Sequence, residues 1–205
     1  MTVAIEASSA FIQRWQGKNG SEKANYQLFL TELCELLAVD KPEPAQADNK
    51  QNAYVFERRV DMLESLGRAS TGFIDLYKRD SFVLEAKSTG KKIGSGGLDM
   101  ALERAYNQAK AYITNLPSFE KKPPFLIVTD VGHVLQVYSE FTCSGSTYTA
   151  FPDQNAEAGG QPVRQGLQVR SEGAKGAHGG RVGAGRHRRP NLILAYVQAG
   201  RVRVC

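Results

Sequence analysis

Two acidic residues and a lysine occur at a spacing that suits metal-assisted chemistry. Nine residues separate Asp75 from Glu85, and one alanine separates Glu85 from Lys87. In a strand, residues two apart project from the same face, so Glu85 and Lys87 are expected on one side. Hairpin pairing would bring Asp75 to within about 5–8 Å of them. The spacing therefore predicts two carboxylates and an ammonium group at one edge of a sheet.

This set of groups suits the cleavage of phosphodiesters. Carboxylate oxygens are the ligands that Mg²⁺ prefers, and Asp75 and Glu85 would supply them. Bound Mg²⁺ lowers the pKa of a coordinated water and neutralises charge on the phosphate. Lys87 could orient the attacking water and stabilise the developing negative charge. Gly72, three residues before Asp75, would leave the approach to the site uncrowded.

Gln108 and Tyr112 form a second pattern, because residues four apart share one face of a helix. Gln108 is predicted to help position the water or a DNA backbone group, and Tyr112 to pack or to contact the backbone. Before them, a glycine-rich loop at 88–97 carries Lys91 and Lys92. Contact of these lysines with DNA phosphates and plain solvation are equally open alternatives.

The elements that must position these residues follow from the apolar periodicity. The predicted order is a helix over 21–37, strands over 53–62, 71–77 and 81–87, a helix over 98–115, and strands over 125–129 and 133–140. The second and third strands are close enough to form a hairpin. This order predicts an α/β fold with a mixed central sheet flanked by helices.

Within the first predicted strand, strict alternation places the apolar residues on one face and the charged residues on the other. The apolar set is Tyr54, Phe56, Val60 and Met62, and the charged set is Glu57, Arg59 and Asp61. Elsewhere, Trp15 is predicted to be a packing anchor and His133 to be structural.

The net charge of +5 is unevenly distributed. Residues 1–150 hold 17 Lys and Arg against 18 Asp and Glu, whereas residues 151–205 hold 9 against 3. The second segment also holds 10 of the 20 glycines and few large apolar residues. Such a composition buries too little apolar surface to offset the entropy of folding. We therefore predict a folded domain over 1–152 and a disordered, low-complexity tail over 153–205, and the positive charge alone does not indicate DNA binding.

Other classes of protein are disfavoured by the composition. No run of 18 apolar residues is present to predict a membrane helix, and the first residues do not resemble a secretion signal. Three cysteines fit neither a disulfide framework nor a zinc site. A cytoplasmic location without membrane association is the expectation.

The pattern of Gly72, Asp75, Glu85, Lys87 and the Gln108–Tyr112 pair resembles the PD-(D/E)XK nucleases of the RecB-like branch. The segments FIQRWQGKNGSEKANYQLFLTELCELLAV, DNKQNAYVFERRV and TGFIDLYKRDSFVLEAK resemble the N-terminal region of MmeI-like restriction-modification enzymes. These single-chain type IIL/IIG enzymes join a nuclease domain to an adenine DNA methyltransferase and a target-recognition domain. The resemblance covers residues 11–152.

The resemblance implies a PD-(D/E)XK restriction-endonuclease-like core that cleaves double-stranded DNA with Mg²⁺. It implies Asp75 and Glu85 as metal ligands, Lys87 as the catalytic lysine and Gln108 as an accessory residue. Many such nucleases add a first-helix glutamate. The candidates for that role are Glu22, Glu32 and Glu35, and for each of them a solvated helix charge is the alternative.

The sequence departs from the family after residue 152. The glycine-rich S-adenosylmethionine loop and the N-P-P-[YF] motif of the methyltransferase do not follow, so S-adenosylmethionine is expected only for the missing domain. We expect residues from about 153 onward to be a frameshift product or otherwise unrelated to the fold. The alternatives to a truncated endonuclease module are a non-catalytic module that binds DNA or docks onto methyltransferase subunits, and an inactive fragment of a broken gene.

Overall fold

The computed structural model of the chain describes residues 2–18, 22–63 and 69–151. The helices are α1 (Thr2–Trp15), α2 (Glu22–Leu36) and α3 (Gly96–Asn115). The strands are β1 (Tyr54–Leu63), β2 (Ala69–Lys78), β3 (Phe82–Lys87), β4 (Phe125–Asp130), β5 (Val134–Ser139) and β6 (Thr149–Ala150). The predicted tail over 153–205 lies outside the described residues, so the boundary at 152 stays a prediction.

One six-stranded sheet has the order β1-β2-β3-β4-β5-β6. β3 and β4 run parallel, and every other neighbouring pair is antiparallel. Helix α3 connects the parallel pair and packs on one face, while α1 and α2 pack on the other. Strand β4 is buried along its whole length, as expected of a central strand covered on both faces. The predicted α/β fold with a mixed sheet flanked by helices is confirmed.

Helix α3 has clear sequence signals at both ends. The side chain of Ser95 accepts a hydrogen bond from the backbone N–H of Leu98, which satisfies one of the free donors of the first turn. Asp99 adds a negative charge where the helix dipole favours one. Buried residues along one stripe attach the helix to the sheet. They are Leu98, Leu102, Ala105, Ala109, Tyr112 and Ile113.

Helix α1 was not among the predicted elements, because its first two turns contain only small or singly spaced apolar residues. Its C-terminal end nevertheless packs tightly. Trp15 is buried, meets Phe29 edge to face and donates a hydrogen bond to Glu32, which confirms its role as a packing anchor. At Gly132, with φ of +75°, an added Cβ would lie 2.3 Å from the Trp15 carbonyl oxygen. The end of α1 can therefore pack against the turn after β4 only because residue 132 is a glycine. The short strand β6 was also not predicted.

The uniform alternation predicted for β1 is wrong. Phe56 packs against the layer of α1 and α2, whereas Val60 and Met62 pack against the layer of α3. Glu57 lies between them in the left-handed region, with φ of +51°. Side chains alternate between faces only while the backbone stays extended, so this conformation changes the face that the following residues present.

A charged cluster is buried beneath the α3 face of the sheet. Arg58 is 1% exposed and donates two hydrogen bonds to Glu120, at 3.0 and 2.7 Å. Tyr77 donates a third to the same carboxylate at 2.7 Å, and the Arg58 guanidinium lies 4.2 Å from the Tyr77 ring centroid. The cluster ties β1 and β2 to the segment that follows α3.

We predict that Glu120→Ala destabilises the protein by about 3–5 kcal/mol, because it leaves a buried guanidinium without its counter-charge. Glu35→Ala, which removes an exposed ion pair with Lys41, should cost about 0–1 kcal/mol. Urea unfolding of the full chain measures both. Equal effects of the two variants would contradict the assigned role of the buried cluster.

Candidate active site

The site lies where the ladder between β2 and β3 ends. Three pairs form this ladder, and the last of them is Leu76 with Leu84. Immediately beyond it, Oδ2 of Asp75 accepts a hydrogen bond of 2.7 Å from the backbone N–H of Ala86. A side-chain carboxylate thus takes over the role that a backbone carbonyl has in the ladder. The predicted hairpin is confirmed, and Asp75 lies against β3 between Glu85 and Lys87.

Glu85 and Lys87 lie on the same face of β3, as their spacing predicted, and this is the face that packs against α3. The Nζ of Lys87 is 3.4 Å from Oε2 of Glu85. Glu85 is 0% exposed, and its second oxygen, Oε1, has no hydrogen-bond partner within the described part of the chain. The three residues Asp75, Glu85 and Lys87 are therefore brought together at one edge of the β2–β3 hairpin.

The environment of Glu85 favours its neutral form in the metal-free protein. Burial, and after it the negative charge of Asp75, raise the pKa of this carboxyl to about 8, although Lys87 lowers it in part. A buried carboxylate with an open oxygen and a second carboxylate nearby is the donor set that a hard cation binds. Asp75 and Glu85 thus fit a Mg²⁺ ion. No third His, Cys, Asp or Glu within the described ranges joins them as a ready-made ligand cluster.

Tyr112 closes the α3 side of the site. Its ring lies against Gly72 so closely that a Cβ on this glycine would be 2.3 Å from Cε1 of the tyrosine. Its hydroxyl accepts a hydrogen bond of 3.0 Å from Gln108 and bonds the backbone of Phe73. Burial raises the pKa of Tyr112, and the charges of Glu85 and Asp75 contribute. The predicted packing role of Tyr112 is confirmed, and Gln108 approaches the site through this tyrosine.

The loop after β3 is held in place by Asp130, a residue that the sequence analysis did not single out. Asp130 is 0% exposed at the end of β4, opposite Lys87 in the ladder, and accepts bonds from both the N–H and the hydroxyl of Thr89. His133 contacts the same carboxylate at 2.8 Å, which confirms its structural role. Only the position of Asp130 at a strand end beside Lys87 could have indicated it.

The two loop lysines differ in their surroundings. Lys91 directs its Nζ to the carbonyl oxygen of Gly97 at 3.0 Å, in the first turn of α3. Lys92 is exposed. Contact of either lysine with DNA stays a prediction.

The three candidate glutamates lie on α2, which the structure makes the second helix, and two of them contact other partners. Glu32 accepts hydrogen bonds from Arg14 and Trp15, and Glu35 pairs with Lys41 at the surface. The side chain of Glu22 lies outside what the structure describes. A different acid lies near the site: Glu57 of β1, whose Oε1 accepts a 2.5 Å hydrogen bond from the buried Tyr26 hydroxyl.

The family described as MmeI, N-terminal domain, matches residues 3–168 of the chain. The chain belongs to this family. Apart from Thr2, the match covers the α-helices and strands of the described ranges, together with Asp75, Glu85 and Lys87. No curated protein and no solved structure matches the chain. None of the helices in the described ranges is both long and apolar enough to cross a membrane. The resemblance to MmeI-like proteins drawn from the sequence is thereby confirmed.

The raised pKa of Glu85 predicts a pH-dependent stability in metal-free protein. The Glu85 carboxyl binds its proton more tightly in the folded state than in the unfolded state. The protonated carboxyl therefore contributes fully to the free energy of unfolding below about pH 4.5, and this contribution is lost as the pH rises towards 8. Between pH 5 and pH 9, the free energy of unfolding of the unmodified protein should fall by on the order of 3 kcal/mol through this group, and Glu85→Gln should not show this fall. Urea unfolding in EDTA measures it, and identical slopes for both proteins would contradict the assignment.

We predict that Gly72→Ala destabilises the protein by about 1–3 kcal/mol, because the new methyl group would displace the Tyr112 ring. Gly96→Ala is the matched control, since a Cβ there meets nothing within 4 Å. Thermal unfolding compares the two. Similar melting temperatures for both variants would show that Tyr112 does not need this close approach.

Proposed function

We propose that this MmeI N-terminal domain is the DNA-cleaving module of a restriction-modification enzyme, with a PD-(D/E)XK nuclease core and Mg²⁺-dependent phosphodiester hydrolysis. Membership of the family suggests a restriction-modification module. The observation that carries the nuclease assignment is the convergence of Asp75, Glu85 and Lys87 where the β2–β3 ladder ends. One oxygen of this group, Glu85 Oε1, is buried with no partner among the described residues.

Each of the three side chains has a role that follows from its surroundings. Asp75 and Glu85 would hold Mg²⁺, which supplies charge neutralisation and activation of water when bound. The hydrogen bond from the Ala86 N–H fixes Oδ2 of Asp75 against β3, next to Glu85 and Lys87. Lys87 is partly exposed, so its ammonium group can reach a substrate phosphate while it remains next to Glu85.

The contribution of Lys87 is electrostatic. Its Nζ can donate a hydrogen bond to the attacking water or to a phosphate oxygen, where negative charge increases in the transition state. A pre-positioned donor of this kind contributes about 10²–10³ in rate. Gln108, which is exposed and bound to Tyr112, would add a contact to the water or to the DNA backbone.

The proposed substrate is double-stranded DNA, cleaved weakly and without sequence preference. Contacts to phosphates position a protein on DNA, whereas contacts to base edges in the grooves read the sequence. The proposed site consists of groups that act on a phosphodiester. Recognition of a sequence is therefore assigned to other modules of such an enzyme.

Nicking of supercoiled plasmid by the purified full chain in Mg²⁺ tests the proposal. We expect slow nicking that EDTA abolishes, with Lys87→Ala and Asp75→Asn slower by about 10²-fold or more. Lys41→Ala is the matched control, because it removes a lysine that pairs with Glu35 on the surface of α2. Its rate should equal that of the unmodified chain.

Two results would overturn this assignment. Equal nicking by the unmodified chain and Lys87→Ala would remove Lys87 from the reaction. Salt-dependent DNA binding by a folded protein that never nicks DNA would favour the non-catalytic binding module instead.

A further inference from the structure

Glu57 combines three features that the fold alone does not require. It is a non-glycine residue with φ of +51° inside a strand, an unfavourable conformation that persists only when its surroundings hold it. The ladder pairs Phe56 with Leu76 and Arg58 with Ile74, which places Glu57 directly opposite Asp75. Its carboxylate, on an otherwise exposed side chain, is bound by the hydroxyl of a tyrosine that is 1% exposed.

The order of the strands defines what Glu57 can do. Asp75 lies on β2, with Glu57 of β1 on one side and Ala86 of β3 on the other. Like charges directly opposite each other across a ladder repel. A fixed negative charge at Glu57 would therefore direct the Asp75 carboxylate towards Ala86 and the edge where Glu85 and Lys87 lie.

Tyr26 supplies the fixation. It belongs to α2, accepts a hydrogen bond of 3.1 Å from Gln27 and donates one of 2.5 Å to Glu57. Burial raises the pKa of its hydroxyl, and the charges of both Glu57 and Asp75 raise it further. The Tyr26–Glu57 pair thus lies on the α2 side of Asp75, opposite to Tyr112 on the α3 side.

We propose that Glu57, held by Tyr26, is a positioning residue of the site: its carboxylate orients that of Asp75 towards β3. The left-handed backbone at Glu57 belongs to this arrangement. It occurs where the side chains of β1 change from one face of the sheet to the other, at the residue whose carboxylate accepts the hydrogen bond from α2. The inference deepens the proposed function and rests on it for the meaning of the Asp75 orientation. The orientation itself is measurable without metal or DNA.

The test is amide hydrogen exchange by NMR on the full chain without metal. The Ala86 N–H reports directly on the Asp75 carboxylate, since it donates to Oδ2. We expect Glu57→Gln and Tyr26→Phe each to lower the protection of this amide by about ten-fold. Protection of the amides in the Leu76–Leu84 part of the ladder should not change.

Two variants make the outcome decisive. Asp75→Asn should lower the Ala86 protection and serves as the positive control, whereas Glu35→Gln removes a glutamate charge from α2 at the surface and should leave it unchanged. Loss of Ala86 protection in Asp75→Asn but in neither Glu57→Gln nor Tyr26→Phe overturns the inference. A uniform loss across the sheet also overturns it, because that result would show a general structural role.

This readout separates the inference from the proposed function. If the chain fails to nick DNA while Ala86 responds to Glu57→Gln, the nuclease assignment fails and the positioning role stands. If the chain nicks DNA in Mg²⁺ and Ala86 does not respond, the positioning role fails alone.

Discussion

The hydrogen bond from the Ala86 N–H to the Asp75 carboxylate is the interaction on which the arrangement of the site depends. A ladder that continued past Leu76 would bind this N–H to a backbone carbonyl and would leave no place for a carboxylate between β2 and β3. By ending there, the ladder gives an acidic side chain a backbone partner and a fixed direction. Glu85 and Lys87 then need only the ordinary alternation of β3 to face the same space.

The two layers of helices act on the site from opposite sides. On the α3 side, Tyr112 packs on Gly72 and supplies low-dielectric surroundings, which is why Glu85 favours its neutral form. On the α2 side, Tyr26 binds Glu57 and keeps a negative charge near Asp75. A buried acid with an open oxygen is unfavourable on its own, and the charge of the second acid beside it adds to the cost of ionising it.

Much of the fold and the three central residues could be predicted from the sequence, and the reasons are local. The strand spacing of Glu85 and Lys87, the short turn before β3 and the Ser95 cap all depend on neighbouring residues. Glu57, Tyr26 and Asp130 could not be found in this way, because their partners lie on other elements. The alternation predicted for β1 is wrong from Glu57 onward, because a glutamate does not indicate a left-handed backbone in the way that a glycine would.

Asp130 connects the loop after Lys87 to the turn that follows β4. The same buried carboxylate accepts from Thr89 on one side and contacts His133 on the other. A displacement of the loop would break the hydrogen bonds from Thr89 to the buried Asp130 carboxylate. Water could not replace them, so the displacement is unfavourable in free energy. The backbone that follows Lys87 is therefore held by buried groups of the protein itself, so the fold, and not a ligand, sets its position.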